Sequence, residues 1–468
     1  MLSLLVGMRI LVIGGMAAGA TAAQFARKTD RKAEVTIVGK EPQPIYSKCG
    51  LPYSLSGRIP TFEQLVEFDE RWFEQFKIGL MLGTEATSVD PSAKTVATCD
   101  SRHGKEETLA YDSLILATGA SPWMPPLEGA YAEPGVLKEG VHLIRTMGDG
   151  KRLSENAWRD ARAVIIGGGL IGMEFAEALT VRGVQVTIVE LLPEILLASL
   201  DEDMAMAARQ IIEKTRTPVF LGHRATKITG EKRVESVIVE NVGTRQTTEI
   251  PADIVVVSTG TRANTELAVN AGCVLGETGQ IKVDRRCQTS VPGIFAAGDC
   301  TEYVDLITGK PVAVGMGTVA TRQGRTAGIN AAGGRSEMPP GVLGTRVTMA
   351  FGMHLAGVGP TEPLLRKAGI EPVIGRYAGS TLPDYIPGGR DIIVKVLAHP
   401  SDGRLVGAQI VGTGRVHQRI NAFAVAILAG MTLDQFSKLE TAYAPPIAPT
   451  LDAITLACDV ALMKMRRR

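Results

Sequence analysis

The sequence from Arg9 to Gly19 reads RILVIGGMAAG, and a second stretch with the same pattern, from Ala163 to Gly172, reads AVIIGGGLIG. In both, a short apolar run ends in a cluster of glycines and is followed by a helix-forming segment, which predicts a strand, a tight turn and a helix. A turn of this kind lets backbone N–H groups and the positive end of a helix approach a pyrophosphate. The sequence therefore predicts two βαβ units, each of which could hold a dinucleotide.

The two glycine motifs differ in the residues expected to contact a ribose. In the second motif, Glu190 lies at the end of the following apolar strand, where an acid accepts hydrogen bonds from ribose hydroxyls. The first motif has Met16 in place of its middle glycine and Gly39 in place of the acid, with Glu41 two residues later. A glycine turn can also serve only to reverse the chain, but two such motifs in order favour nucleotide binding. The ribose contact of the first unit is left open.

Three further segments support a design with two nucleotides. Residues 111–119 and 253–260 are apolar strands that end in Thr-Gly, as expected where a strand returns beneath a nucleotide. The segment 289–299 ends in Gly-Asp, where the carboxylate could accept a hydrogen bond from a ribityl hydroxyl or simply cap a helix. From about Gly341 the sequence changes to shorter alternating strands and helices, which predicts a compact α+β domain.

Composition and charge exclude several classes of function. The chain has 468 residues, with 50 Lys plus Arg against 49 Asp plus Glu, so its net charge of +1 creates no broad field for nucleic acid or an anionic membrane. No apolar run is long enough to span a membrane, and Met1 to Gly7 does not resemble a secretory signal. Six dispersed cysteines without metal-ligand spacing predict a cytoplasmic location and no metal site. They are Cys49, Cys99, Cys273, Cys287, Cys300 and Cys458.

In this order, the motifs resemble over essentially the whole chain the FAD-dependent pyridine nucleotide-disulfide oxidoreductases. They look most like the branch with a single redox-active cysteine, which contains coenzyme A-disulfide reductases, NADH oxidases and peroxidases, and NAD(P)H polysulfide reductases. The resemblance implies an α/β fold with two Rossmann-like dinucleotide-binding domains, for FAD and NAD, and a C-terminal α+β dimerisation domain that forms a homodimer. The implied boundaries are 1–155 and 288–338 for FAD binding, 156–287 for NAD(P) binding and 339–468 for dimerisation.

The resemblance implies that electrons pass from NADH to FAD and then to Cys49, which lies in the segment IYSKCGLPY, Ile45–Tyr53. In the family this cysteine opens a helix beneath the flavin, where free N–H groups, the helix dipole and here Lys48 would stabilise its thiolate. Ser54 stands where two-cysteine relatives keep a resolving cysteine. The implied redox cycle therefore uses a mixed disulfide, a persulfide or a sulfenic acid on one sulfur.

Other family positions carry over to this chain residue by residue. Tyr385 and Tyr443, in the segments Tyr-Ile-Pro-Gly and Tyr-Ala-Pro-Pro, stand where the family places partner-subunit tyrosines that could donate a proton beside the cysteine. The implied FAD positions are Gly14, Gly15, Ala18, Gly19, Lys40, Ala117, Thr118, Gly119, Gly298, Asp299, Gly317 and Thr318. The implied NAD positions are Gly167, Gly169, Leu170, Ile171, Gly172, Glu174, Glu190 and Gly260. The implied substrate positions are Thr21, Arg27, Lys28, Lys48 and Lys77.

The second nucleotide is predicted to be NADH, with NADPH possible. Glu190 offers an acceptor to a ribose 2′-hydroxyl, and the following Leu191 and Leu192 provide no cation for a 2′-phosphate. Glu174 matches the family's acid that holds the nicotinamide amide, and a salt bridge on the helix surface is the alternative.

The substrate is predicted to be a low-molecular-weight disulfide, with coenzyme A disulfide favoured. Ala17 replaces the loop histidine of the oxidases and peroxidases, which argues against peroxide chemistry. Ile45 and Lys48 replace the family's serine and asparagine beside the pantetheine chain, which favours a different disulfide. The alternatives left open are an NADH-dependent polysulfide or persulfide reductase, an NADH oxidase, and an electron-transfer flavoprotein subunit.

Overall fold

The structure is a computed structural model that describes residues 7–467. The prediction about Met1 to Gly7 therefore falls almost entirely outside the described residues, as does Arg468. None of the described helices is long and apolar enough to cross a membrane.

Helices and strands are distributed along the whole described chain. The helices are α1 Ala17–Thr29, α2 Leu51–Leu55, α3 Glu70–Gln75, α4 Met147–Asn156, α5 Leu170–Val181, α6 Glu202–Glu213, α7 Glu266–Asn270, α8 Gly317–Ala331, α9 Glu362–Lys367, α10 Val416–Leu428, α11 Leu433–Ser437 and α12 Ala453–Met465. The strands are β1 Arg9–Ile13, β2 Glu34–Gly39, β3 Ile78–Leu82, β4 Thr84–Asp90, β5 Thr95–Asp100, β6 Glu106–Ala110, β7 Ser113–Leu116, β8 Ala120–Pro122, β9 Tyr131–Glu133, β10 Val136–Leu137, β11 Val141–Leu143, β12 Arg162–Ile166, β13 Gln185–Glu190, β14 Val219–Leu221, β15 His223–Ile228, β16 Ser236–Asn241, β17 Thr247–Pro251, β18 Ile254–Val257, β19 Thr261–Ala263, β20 Ile294–Ala296, β21 Tyr303–Val304, β22 Pro311–Val312, β23 Arg346–Ala350, β24 Met353–Val358, β25 Val373–Ser380, β26 Asp391–Ala398 and β27 Leu405–Gly412.

The described chain divides into two compact units. The first comprises the described residues up to Pro122 together with Arg145–Met147 and Thr261–Val342. The second comprises Trp123–Ile144, Gly148–Gly260 and the described residues from Leu343 onward. The domain boundaries implied by the sequence, after residues 155, 287 and 338, stay predictions.

The first unit is built on a parallel five-stranded sheet in the order β20-β7-β1-β2-β3. Its strands are nearly continuous apolar runs because both faces are covered, and Val12, Ile37 and Ile115 are fully buried. The carboxyl ends of neighbouring parallel strands meet at one edge of the sheet. The sheet order therefore brings the loops that follow β1, β7 and β20 together.

The second unit contains another parallel sheet, in the order β11-β18-β12-β13-β14, and an antiparallel sheet in the order β23-β24-β27-β26-β25. Helices α10 and α12 pack on the antiparallel sheet, and the rings of Phe423 and Phe436 stack with their centroids 4.8 Å apart. Two parallel dinucleotide-type sheets and a C-terminal α+β segment are present, so the predicted fold class is confirmed.

One face of the antiparallel sheet carries a continuous row of cross-strand neighbours, which we call the polar row. Directly paired residues on neighbouring strands point to the same face of a sheet. The row contains one residue from each of the five strands. It consists of Arg346, Gly357, Gln409, Lys395 and Arg376.

The centre of the polar row is a buried ion cluster. The side chain of Lys395 is 4% exposed, and its Nζ lies 3.0 Å from Asp201 Oδ2, 2.7 Å from Asp203 Oδ1 and 3.1 Å from Glu362 Oε2. Burial by itself lowers the pKa of Lys395, but the carboxylates of Asp203 and Asp201 outweigh burial, and the net direction is upward. The ammonium is therefore held in its charged form by the segment that starts α6.

A buried histidine on β11 gives the second unit a dependence on pH. Burial of the ring, with a smaller contribution from Arg152, lowers the pKa of His142 to about 4. The unfolded chain binds a proton near the ordinary value of about 6.5, so the free energy of unfolding is expected to fall by about 3 kcal/mol as the pH drops from about 6.5 to about 4. His142→Gln should flatten this dependence in urea denaturation measured across that range. The same change at the exposed His103 should leave it intact, and equal profiles for both variants would contradict the expectation.

Candidate functional site

Both glycine motifs form the predicted strand, turn and helix. No side chain among the described residues caps the start of α1 at Met16 or of α5 at Gly169, so the first N–H groups of each helix face outward from the turn. A Cβ atom at Gly19 would lie 1.7 Å from the carbonyl oxygen of Gly14, and one at Gly172 would lie 2.0 Å from that of Gly167. Only glycine allows the helix to pack this closely against the turn, which aims both helix ends as a pyrophosphate requires.

The first glycine loop lies beside the loop that follows β20. A Cβ atom at Gly298 would approach the Cβ of Ala18 to 2.9 Å, so the Gly-Asp turn abuts the start of α1. The backbone N–H of Gly298 donates to Oε1 of the buried Gln323 at 2.7 Å. N–H groups at a helix start and a carboxylate, that of Asp299, form the donor and acceptor set that the phosphates and ribityl chain of FAD need. The residues present therefore fit FAD.

Arg145 is a residue of this region that the sequence reasoning did not find. Its Nη2 lies 3.2 Å from Oδ2 of Asp299, and both side chains are about one quarter exposed. The two residues are far apart in sequence, and no motif surrounds Arg145, so only the folded chain reveals the pair. The guanidinium adds a cation to the predicted FAD site.

Some of the other predicted FAD positions already have hydrogen-bond or ion-pair partners within the protein. The hydroxyl of Thr118 donates to the backbone oxygen of Asn264 at 2.6 Å, so it joins the loop after β7 to the segment after β19. Lys40 is on the surface, where its Nζ is 2.8 Å from Glu85 Oε1. Gly317 and Thr318 begin α8, whose N-terminus also has no capping side chain among the described residues.

Glu190 is bound to the second glycine loop. Its Oε2 accepts from the N–H of Gly168 at 2.6 Å and its Oε1 from the N–H of Leu192 at 2.8 Å, and the residue is 9% exposed. Each carboxylate oxygen can accept more than one hydrogen bond, so capacity for a ribose hydroxyl remains. A Cβ atom at Gly169 would meet no atom within 4 Å, which leaves open space in front of the loop. This donor and acceptor set fits the pyrophosphate and ribose of NAD(P)H.

The other predicted NAD positions lie around the same turn. Leu170 and Ile171 open α5, and Ile171 is 43% exposed. Gly260 follows β18 with a φ of +108°. Glu174, one helical turn further, accepts a hydrogen bond from the hydroxyl of Thr348 on β23. Burial raises the pKa of Glu174, against a lowering by the Thr348 hydrogen bond, and the charge of Glu177 raises it further.

Cys49 is exposed, in a short 3₁₀ turn at Lys48–Gly50 that leads into α2. The Nζ of Lys48 lies 2.5 Å from Oε1 of Glu41, and both side chains are about one fifth exposed. The other oxygen of Glu41 accepts a hydrogen bond from Tyr46, whose hydroxyl in turn accepts from the N–H of Met147 at 2.9 Å. The predicted role of Lys48 beside the thiolate thus competes with its ion pair to Glu41.

The structure brings three of the predicted substrate residues together. Arg27 donates to the backbone oxygens of Ala33 at 2.6 Å and Phe76 at 3.2 Å, which places it beside Lys77. Arg27 is therefore engaged in holding the end of α3. Lys28 is exposed and lies over the ring of Phe25, 4.9 Å from its centroid. Thr21 is half-buried on the same helix.

Tyr385 and Tyr443 lie together in the second unit. Their side chains are hydrogen-bonded, which together with partial desolvation raises the pKa of Tyr385. The residues are 70% and 50% exposed. Two exposed phenols joined in this way can pass a proton to a bound group.

The remaining cysteines are less accessible than Cys49. Cys273, Cys287, Cys300 and Cys458 are buried, and Cys99 is half-buried. Burial raises the pKa of all four buried thiols, to about 12 for Cys287. A thiol with a raised pKa is a poor nucleophile at neutral pH, which supports a structural role for these four.

Two family models match the chain. Residues 8–324 match the pyridine nucleotide-disulphide oxidoreductases, and residues 346–453 match the dimerisation domain of the same family. A protein named NADH oxidase from Methanocaldococcus jannaschii is 36% identical over 466 residues, which are 98% of this chain and 100% of that protein. One named NAD(P)H coenzyme A polysulfide/persulfide reductase from Pyrococcus horikoshii is 32% identical over 455 residues, 97% of this chain and 98% of that protein.

The fold is also that of a solved structure described as a NAD-dependent persulfide reductase from A. fulgidus. The TM-score is 0.92 at 36% identity, over 98% of this chain and 84% of that one. The predicted family and cofactors are confirmed. The chain belongs to the pyridine nucleotide-disulphide oxidoreductases, enzymes that use FAD and NAD(P)H.

Proposed function

We propose that this protein uses NADH to reduce a low-molecular-weight disulfide, coenzyme A disulfide first, through the single thiol of Cys49. The observation that carries the proposal is the contrast among the cysteines. Cys49 is exposed and belongs to the unit that fits FAD, whereas the other five are buried or half-buried. An exposed thiol at the start of a helical turn is the arrangement that thiol–disulfide exchange requires.

The chain's residues have defined tasks in this reaction. When bound, FAD supplies two-electron transfer from the nicotinamide to sulfur. The thiolate of Cys49 attacks one sulfur of the disulfide, forming a mixed disulfide and releasing the first thiolate. Reduction of that mixed disulfide by two electrons releases the second thiolate and regenerates the Cys49 thiolate. Each released thiolate takes one proton, so one disulfide consumes one NADH and one proton.

Basic residues in the unit that contains Cys49 support a phosphorylated substrate. Lys28 is exposed on α1, and Lys77 follows the end of α3, which Arg27 holds against α1. Coenzyme A carries several phosphate charges that such cations can bind. These residues are the proposed substrate contacts.

A second candidate is an NADH-dependent polysulfide or persulfide reductase. Ile45 is buried and apolar, and the ammonium of Lys48 is paired with Glu41, so the serine and asparagine contacts that the family makes to a pantetheine chain are replaced here. A smaller, less charged sulfur substrate would not need the contacts that the family makes to a pantetheine chain. The similarity to a protein named persulfide reductase also favours this second candidate.

The same chain is proposed to prefer NADH and to act as a homodimer. Glu190 presents a carboxylate, and the side chains of Leu191 and Leu192 beside it are exposed and apolar, an environment that disfavours a 2′-phosphate. The dimerisation-domain segment exposes Val425, Ile447 and Leu451, each more than half exposed, as an apolar surface for a second copy.

The test is an anaerobic titration of the FAD-loaded protein with NADH, followed by coenzyme A disulfide or polysulfide while the flavin spectrum is recorded. Rapid reoxidation by coenzyme A disulfide supports the first proposal, and reoxidation by polysulfide alone supports the second. Reoxidation only on admission of air would overturn both in favour of an oxidase or an electron-transfer subunit.

Phenylalanine at Tyr385 or Tyr443 is expected to lower disulfide turnover by about 10²-fold, because the proton donor to the leaving thiolate is lost. Reduction of the flavin by NADH should be unchanged, since that step needs no phenol. Stopped-flow measurement of the two half-reactions separates these effects. Tyr131→Phe, at another exposed tyrosine of the second unit, is the matched control, and a loss as large as at Tyr443 would contradict the assignment.

A further inference from the structure

Strand β23 of the dimerisation domain contacts two segments of the second nucleotide-type unit, the one that follows β13 and helix α5, which follows the second glycine loop. Arg346 and Thr348 are two residues apart and therefore point to the same face of the strand. The Nη2 of Arg346 donates to the backbone oxygen of Ser199, in the segment that follows Glu190, at 2.5 Å. The hydroxyl of Thr348 donates to Oε1 of Glu174. One strand thus contacts the segment after the ribose-binding acid and the helix after the glycine loop.

The hydrogen bond from Thr348 holds one of the two carboxylate oxygens of Glu174. Thr348 is 6% exposed, so its hydroxyl has little access to water and its direction is set by the carboxylate. A threonine is stiff at χ1, which makes it a better positioning group than a flexible side chain. With Oε1 held by the hydroxyl, Oε2 of Glu174 is the oxygen left to accept a further hydrogen bond.

A neighbouring contact on the same helix extends the interaction. The N–H of Gly352, in the turn between β23 and β24, lies 3.4 Å from Oε1 of Glu177, one turn after Glu174. The hairpin therefore contacts two acids on one face of α5. This second contact orients the helix, whereas only the first reaches the acid near the glycine loop.

We propose that Thr348 is a positioning residue for the nicotinamide half of NAD(P)H, because it holds Glu174 with one oxygen turned to accept the carboxamide. The inference rests on the proposed assignment of Glu174 to that amide. It makes the dimerisation domain a contributor to nucleotide recognition. It does not depend on which disulfide, if any, accepts the electrons.

The test measures binding of NAD⁺ and of ADP-ribose, which lacks the nicotinamide, to the oxidised FAD-loaded protein by calorimetry. Thr348→Val is expected to weaken NAD⁺ binding about tenfold, because Glu174 loses the donor that orients its carboxylate toward the carboxamide, and to leave ADP-ribose binding unchanged. Thr348→Ser keeps the donor and should retain the affinity of the unaltered protein. If the valine variant does not fold, Thr348→Ala removes the same hydroxyl without added bulk.

A double-mutant cycle shows whether Thr348 acts through Glu174. In a Glu174→Ala background, Thr348→Val should have no additional effect on NAD⁺ binding. Glu177→Gln, which keeps an acceptor one turn further along α5, is the control and should bind NAD⁺ normally. Equal loss of NAD⁺ and ADP-ribose, or additive effects in the cycle, would overturn the inference. Unchanged NAD⁺ binding by Thr348→Val would overturn it as well. If the Thr348 variants behave as expected but the unaltered protein reduces no disulfide, the proposed function alone is overturned.

Discussion

Replacing Cys49 by serine is expected to lower disulfide turnover by roughly 10³-fold or more, while the protein still binds FAD and its flavin is still reduced by NADH. A serine hydroxyl stays protonated at neutral pH and cannot form the mixed disulfide, so the second half-reaction loses its nucleophile. The first half-reaction does not involve the thiol. Anaerobic stopped-flow mixing with NADH and then with the disulfide measures the two halves separately.

Cys99→Ser is the matched control for this experiment. Cys99 is the half-buried cysteine on β5, so its replacement tests for a general effect of losing an accessible sulfur. Turnover should be retained in this variant. Full turnover by the Cys49 variant, or an equal loss in both variants, would show that the reaction does not proceed through Cys49.

Replacing Lys395 by methionine is expected to lower the free energy of unfolding of the second unit by about 3–5 kcal/mol, because the buried carboxylate of Asp201 is left without the ammonium that pairs with it. The side chain of Asp201 is 3% exposed, so water has little access to replace the ammonium. Glu362 and Asp203 keep their pairs with Arg366 and Arg376. Urea denaturation followed by circular dichroism measures the change.

Arg376→Met removes a cation from the same polar row at its exposed end and is the control. The Arg376 side chain is 40% exposed and pairs with Asp203 at 3.3 Å, so its loss should cost about 1 kcal/mol or less. Equal destabilisation by the two replacements would mean that burial of the pair at Lys395 has no special effect.

The sequence was sufficient for the architecture because the decisive signals are local. An apolar run, a glycine turn and the start of a helix occupy about a dozen consecutive residues, and each motif predicts its own βαβ unit. The predicted fold class, family and cofactors are confirmed for this reason. The roles of the individual site residues, including Glu190 and Asp299, stay predictions.

The contacts that the sequence could not predict join residues far apart in the chain. Glu174 and Thr348 are brought together by the packing of α5 against β23, and neither residue type signals the other. The pairing of Lys48 with Glu41 depends on how the Cys49 loop folds back, and Glu41 lies only two residues after the position expected for a ribose contact. The polar row is likewise invisible until the strand register is known, because its members come from five separate strands.

The order of strands in the first unit also determines when this protein can fold during synthesis. Strand β7 ends at Leu116, but its parallel neighbour β20 begins only at Ile294. At about 5–20 residues per second, a ribosome needs on the order of 10–40 s to make the intervening chain. Throughout that interval the fully buried, apolar β7 is an open sheet edge, which is the kind of surface that chaperones bind and that aggregates when unprotected. The nascent chain therefore completes its first sheet only after all five strands of the second parallel sheet have been synthesised.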